Sequence, residues 1–381
     1  MYGTTGLISS LLGAYQMSAV SMRYSRFMPR VYNLAKSLGF ERGKIMPSRA
    51  FCSDESQGYP IILIAKHFGS FPFNHGLVGG IVATDRHSPH AHHGKDLVII
   101  QASHVGYDPE NGRFGVYRRL QTEKTSETSN CGKICGALDW YLREYAFARD
   151  NIFLYQENGK NKVIVDNLLL HAERNEGLLL KLDRIVKVDA QGNPIPEISK
   201  STAKVFSASP ALLDYLEDYE WKQDRAELIG RRLHPDLFFY KREISHHHEG
   251  RDHLEKNLID VMPYVVTSQW PALTAAQANT QVEFDRAFRT ILQEPTYKNK
   301  KILFISGLNV DISPQEGQVF PLTKFIPWAA YVQDEHGNHQ TWEQAELYAQ
   351  LQAQPPENPD QVDLETAIEI MEKEKEILLP F

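Results

Sequence analysis

The stretch Asp96-Leu-Val-Ile-Ile-Gln-Ala constrains the fold of this chain most. A strand with one face in water alternates apolar and polar residues. This run does not alternate, so it reads as a strand buried on both faces, as in a parallel sheet covered by helices. It leads straight into Ser103-His104-Val-Gly, which puts His104 at its carboxyl end. In open α/β sheets, ligand sites collect at the carboxyl ends of strands.

The rest of the chain fits an α/β pattern around that strand. Residues 29–38 read as a short helix with Pro29 in its first turn and Gly39 closing it. Lys44–Phe51 reads as extended, and Ile61–Ala65 as either a strand or a buried helix. Phe68 to Gly80 is expected to be a loop followed by a tight helix start. Residues 121–130 form a polar loop, and a helix runs from about Cys131 to Arg149. Asn158-Gly159 marks a hairpin between Ile152–Tyr155 and Lys162–Asp166. Leu178–Val188, Thr202–Phe206, Lys301–Ile305 and Pro321–Val332 are expected strands. Pro210–Ala226 is an expected helix, and an acidic helix ends near residue 376. Three segments are expected: a helical N-terminal arm over 1–44, an α/β domain over 45–335, and a C-terminal helical extension over 336–381.

Composition narrows the function classes. The net charge of −7 carries no basic surplus, so a general nucleic-acid binder is not expected. Three cysteines in 381 residues do not make a disulfide framework and fit a reducing compartment, taken here as the cytoplasm. No transmembrane segment is expected. Met1 to Met22 carry no charge, but they lack a basic start and are interrupted by Gly, Ser, Thr and Gln.

The rare residues then fall into an order. Cys52 lies in Cys-Ser-Asp, His104 at the strand end, and Cys131 at a helix start with Cys135 four residues on. The positive end of a helix dipole favours thiolate there. Two thiolates and one imidazole make a three-ligand zinc site with a fourth position left for water, the catalytic arrangement. Three cysteines in a chain of this size also fit buried small hydrophobes.

At these residues the sequence resembles the limiting-CO2-inducible protein B/C family, whose active site is similar to that of β-class carbonic anhydrases. The resemblance rests on Phe51-Cys-Ser-Asp-Glu, Phe71-Pro-Phe-Asn-His-Gly, Gly79-Gly80, Ser103-His-Val-Gly-Tyr-Asp, Gly115-Val-Tyr-Arg-Arg and Asn130-Cys-Gly-Lys. These occur in order over about residues 45–145. The resemblance implies a β-carbonic-anhydrase-like core, with a mainly parallel sheet flanked by helices and a C-terminal α/β elaboration. It implies zinc held by Cys52, His104 and Cys131, with Cys135 as the alternative third ligand. It also implies hydration of CO2 to bicarbonate by zinc-bound hydroxide, and a homodimer.

Asp54 matches the β-class aspartate of Cys-x-Asp-x-Arg, but the arginine slot holds Ser56. A substitute must come from Arg49, Arg118 or Arg119. Phe71, Phe73 and Leu77 are candidate pocket walls. His75 is a candidate proton carrier, with His87, His90, His92 and His93 as a possible relay. His246-His-His248 and His253 read as an exposed loop. The Ser56 departure keeps a second reading open: a non-catalytic zinc-binding relative acting in inorganic-carbon response or assembly. A different metal-dependent hydrolase or a thiol enzyme is a third.

Overall fold

The apolar run seen in the sequence is the middle of a longer strand, Asp96–Asp108, buried along nearly its whole length. The structure, a computed structural model, describes residues 15–77, 80–82, 96–119, 127–170, 176–244, 251–318 and 322–376. Its contacts form two units: Ala14–Cys131 with Asn279–Phe381, and one built on Gly132–Ala278.

The first unit holds the long strand. In chain order it contains helix α1 (Tyr24–Ser37), strand β1 (Ile45–Ala50), helix α2 (Gly58–Phe68) and strands β2 (Phe73–Asn74) and β3 (Asp96–Asp108). Strands β4 (Val116–Arg118) and β5 (Glu127–Ser129) follow. Helix α3 (Pro271–Gln293) enters the unit at Asn279. Strands β6 (Ile302–Ile312) and β7 (Leu322–Gln333) and helices α4 (Gln344–Gln352) and α5 (Leu364–Lys373) complete it. The main sheet runs β7-β6-β3-β1-β2. Strands β6, β3, β1 and β2 are mutually parallel, and β7 is antiparallel to β6.

Both faces of the sheet are covered. On one, Phe27, Val31 and Leu34 of α1, Ile64 of α2 and Leu347 of α4 pack on Val98, Ile100, Leu303, Ile305 and Phe325. On the other, Phe284, Ala287 and Ile291 of α3 pack on Leu97, Ile99, Ile302 and Phe304. Each of the larger of these side chains, fully buried, contributes about 1.5–3 kcal/mol. Burial on both faces is the physical reason the β3 run does not alternate.

Several expectations need correction. α1 begins at Tyr24, not in the turn of Pro29, because Tyr24, Phe27 and Met28 are all buried and extend the apolar stripe upstream. Of the two readings of Ile61–Ala65, strand or buried helix, the structure takes the helix, α2. Between Phe68 and Gly80 the described residues form two short strands rather than a helix start. Leu178–Val188 is a strand only to Leu180 and then turns through a short helix, Leu182–Ile185. The helix expected over Pro210–Ala226 stops at Tyr215, capped at its start by Ser209.

The second unit carries the Ile152–Glu157 and Lys160–Asp166 hairpin, with Asn158 and Gly159 both at positive φ as a two-residue turn requires. The first fourteen residues of the expected N-terminal arm lie outside the described residues. The rest of that arm from Tyr15, and the segment after residue 335, belong to the unit that holds the sheet. Among the described residues, no helix is long and apolar enough to cross a membrane.

Candidate metal centre

Three separate pieces of chain meet at the carboxyl end of the parallel strands. β1 ends at Ala50, and the chain turns through Cys52 into a 3-10 turn, Glu55–Gln57, ahead of α2. His104 lies on β3 beside it. The third piece is held by a backbone ladder. The Gly106 N–H donates to Asn130 O (2.9 Å), Gly115 N–H to Gly106 O (2.9 Å) and Asn130 N–H to Gly115 O (3.0 Å). This ladder delivers Cys131, the residue directly before the helix Gly132–Arg149. The approach requires glycine: a Cβ on Gly106 would lie 2.4 Å from Val116 O, and one on Gly76 2.3 Å from Phe51 O.

The donor atoms of Cys52, His104 and Cys131 lie within 4.8 Å of one another, and all three residues are buried. The two sulfurs are 3.9 Å apart. Two thiolates on a tetrahedral zinc, each at about 2.3 Å, would be about 3.8 Å apart, so the pair fits. His104 sits 2.8 Å from Asp311 Oδ2 through Nδ1. Its other nitrogen, Nε2, is buried with no hydrogen-bond partner. A buried polar atom without a partner is costly, and a metal ion is the natural occupant opposite two sulfurs.

The electrostatics agree with this. Burial lowers the His104 pKa, but the Cys131 sulfur and the Asp311 carboxylate outweigh it and hold the imidazole well above its usual value. The Cys52 sulfur, and then burial, push the Cys131 thiol well up. Surroundings that resist thiolate in the absence of a cation, and favour one on the imidazole, suit a metal ion that binds both groups. Against the helix start, which favours thiolate, stand the neighbouring sulfur and burial.

Asp54 is not in the three-donor group. Its carboxylate is held by Arg119, whose Nη2 lies 3.2 Å from Oδ2, and by the backbone N–H of Ser56 at 3.2 Å from Oδ1. Arg119 is itself fixed by Glu55 and by Thr128 on β5. Of the three candidate arginines, Arg118 pairs with Asp108 and Glu110. Arg49 is half-buried on β1, near Cys52, which partly offsets the fall in its pKa caused by burial. Ser56 donates to Asp311 Oδ2 at 2.8 Å and leaves the aspartate of its motif to Arg119.

Of the other sequence candidates, Cys135 is partly exposed and lies in the second unit, outside the donor group. His75 is buried, with its backbone N–H donating to Arg49 O at 2.6 Å. Phe71 is 76% exposed and Phe73 36% exposed, so neither is packed as a wall within this chain. His87, His90, His92, His93 and His246–His248 lie outside the described residues, as does the side chain of Leu77.

Sequence reasoning missed Asp311, Gln57, Asn130 and Thr323. Asp311 Oδ2 receives Gln57 Nε2 at 2.8 Å and Oδ1 receives Thr323 Oγ1 at 3.3 Å. Asn130 Nδ2 donates to Ser56 Oγ at 3.2 Å. One signal was present: Asn309 and Asp311, two apart at the carboxyl end of the buried run Ile302–Ile312, put polar groups on one face of a strand.

Residues 21–203 match the family described as limiting CO2-inducible proteins B/C, β carbonic anhydrases. Among solved structures, PtLCIB4, a homolog of the limiting CO2-inducible protein LCIB, is 12% identical; the match covers 88% of this chain and 99% of that one, with a TM-score of 0.47. The structure of LCIB itself is also 12% identical, covering 85% of this chain and 94% of that one, with a TM-score of 0.43. No curated protein matches the chain.

Proposed function

Because residues 21–203 match the family of limiting CO2-inducible proteins B/C, β carbonic anhydrases, we propose that the chain is a member of it and hydrates CO2 reversibly to bicarbonate with a zinc ion held by Cys52, His104 and Cys131. The observation that carries this reading is the convergence of those three buried donors, with His104 Nε2 left without a partner. Bound zinc supplies acidified water, so that hydroxide is available near neutral pH.

The chain's own groups do the rest. Arg119 holds the Asp54 carboxylate beside, and outside, the donor group, where it accepts a hydrogen bond from the attacking water and orients it. Arg119 thereby takes the part of the arginine that Ser56 replaces. His75 is the proposed proton carrier. Three cysteines in 381 residues make no disulfide framework, which supports a reducing, cytoplasmic setting. The proposed assembly is a homodimer, which light scattering at micromolar concentration tests: a monomer there contradicts it.

A second reading, a zinc-binding relative without hydratase activity, is favoured by one observation: Ser56 engages Asp311 and leaves its motif without an arginine of its own. Metal content and CO2 hydration of the purified chain, beside Cys52→Ala and His104→Ala, separate the two. Hydration that both substitutions abolish supports the first; stoichiometric zinc with no hydration supports the second.

A further inference from the structure

Asp311 and His104 are 207 residues apart in sequence and meet on adjacent parallel strands, at the same end of the sheet as the two cysteines. β6 and β3 pair Asn309 with His104 and Asp311 with Gly106, so Asp311 stands two residues further along on the same face. The carboxylate is fully buried. Every group touching it is placed to donate: His104 Nδ1, Ser56 Oγ and Gln57 Nε2, each 2.8 Å from Oδ2, and Thr323 Oγ1 at 3.3 Å from Oδ1. Among the described residues no lysine or arginine pairs with it, and His104 is its one titratable ion-pair partner. A buried carboxylate is expensive without such partners.

The arrangement is anchored on two sides. Gln57 also accepts from Asn309 Nδ2 through Oε1 at 2.7 Å, which orients its amide so that Nε2 faces Asp311. Ser56, in the motif's arginine slot, adds its hydroxyl to the same oxygen. The 3-10 turn that follows Cys52 and the strand neighbouring His104 are thus joined through one carboxylate.

Resting on the metal reading above, we propose that Asp311 is the positioning residue of the centre. Its carboxylate accepts the hydrogen bond of the His104 Nδ1–H, which fixes the tautomer that leaves the Nε2 lone pair free, and holds the ring so that Nε2 faces the two sulfurs. Ser56 and Gln57 hold Asp311 in turn. Ser56 is therefore a working part of the centre in this chain. The carboxylate makes the imidazole a stronger donor, and loss of such a partner costs roughly 10–100-fold in metal affinity.

The test uses the full chain and the metal alone. Zn2+ and Co2+ affinities are measured by competition with a chromophoric chelator for the wild type, Asp311→Asn and Asp311→Glu, with far-UV circular dichroism as the check on folding. Asp311→Asn is expected to bind roughly 10–100-fold more weakly and to change the visible spectrum of the Co2+ form, with Asp311→Glu recovering part of the affinity. Because a substitution at a buried carboxylate can unfold the chain, 15N-histidine NMR of the unaltered zinc-loaded protein gives a second readout. His104 must carry its proton on Nδ1. Unchanged affinity in a folded Asp311→Asn, or a His104 proton on Nε2, overturns the proposal. Zinc binding with the predicted tautomer but no CO2 hydration overturns the hydratase reading alone. Wild-type protein that takes up no metal overturns both.

Discussion

Arg119 Nη2 lies 3.2 Å from Asp54 Oδ2, across 65 residues of sequence. The arginine is fastened by Glu55 and Thr128, so it is held ready rather than free to swing. Its pairing with Asp54 supplies from the edge of the β4–β5 hairpin what the Cys-x-Asp-x-Ser stretch lacks.

Removing that arginine tests its part. Arg119→Ala is expected to keep one equivalent of zinc and to lose about 10-fold or more in kcat for CO2 hydration, because general acid–base groups contribute roughly 10²–10⁴-fold only when positioned. Arg119→Lys is expected to recover part, since one ammonium cannot reach Asp54, Glu55 and Thr128 together. Stopped-flow hydration with metal analysis checks both. Full activity in Arg119→Ala would show that Asp54 needs no cation.

The two cysteines near the helix start are separable by substitution. Cys131→Ser is expected to weaken zinc binding by more than the roughly 10–100-fold that follows loss of an outer partner. Cys135→Ser should leave affinity unchanged, because Cys135 lies outside the donor group. Chelator competition gives both numbers, and the reverse pattern would exchange the two assignments.

A second buried histidine makes stability depend on pH. His67 is 5% exposed and accepts from Asn358 Nδ2 at 3.2 Å, which requires the neutral ring. Burial, with the charge of Lys66 added, lowers its pKa to about 4. Above the unfolded value of about 6.5 both states are neutral and the stability is fully present. As the pH falls from there towards 4 the unfolded chain takes up a proton that the folded chain refuses, and about 2–3 kcal/mol is lost. Urea melts from pH 7 to pH 4 should show this loss and show it reduced in His67→Gln. Equal slopes for the two proteins would remove His67 as the cause.

Gly106 should tolerate no side chain. Its Cβ would meet Val116 O at 2.4 Å and Asn130 Cβ at 3.0 Å, in the ladder that delivers Cys131. Gly106→Ala is expected to cost about 2–3 kcal/mol, as overpacking does, and to weaken zinc binding along with it. Denaturant unfolding and chelator competition measure the two effects. A variant as stable as the wild type would mean that the ladder gives way easily.

How much of this is legible in the sequence follows from how each residue is placed. His104 stands out because an unbroken apolar strand delivers it, and strand ends collect ligands. Cys52 and Cys131 stand out because thiols are rare here and several neighbouring motifs fall in order. Asp311 does not, because its link to His104 arises from the pairing of β6 with β3 across 207 residues, which no local pattern encodes. The choice among Arg49, Arg118 and Arg119 is equally hidden: it depends on how β4 and β5 pair, Arg118 being drawn to Asp108 and Glu110 while Arg119 turns to Asp54. Helix limits such as the end at Tyr215 fail for a related reason, since packing rather than propensity decides where a short helix stops.

The most direct measurement titrates zinc into the metal-free, reduced protein and follows CO2 hydration by stopped flow at each addition. The prediction is a rate that rises linearly, breaks at one equivalent per chain, and is absent throughout from Cys52→Ala. Zinc that binds stoichiometrically while the hydration rate stays at that of buffer would contradict it.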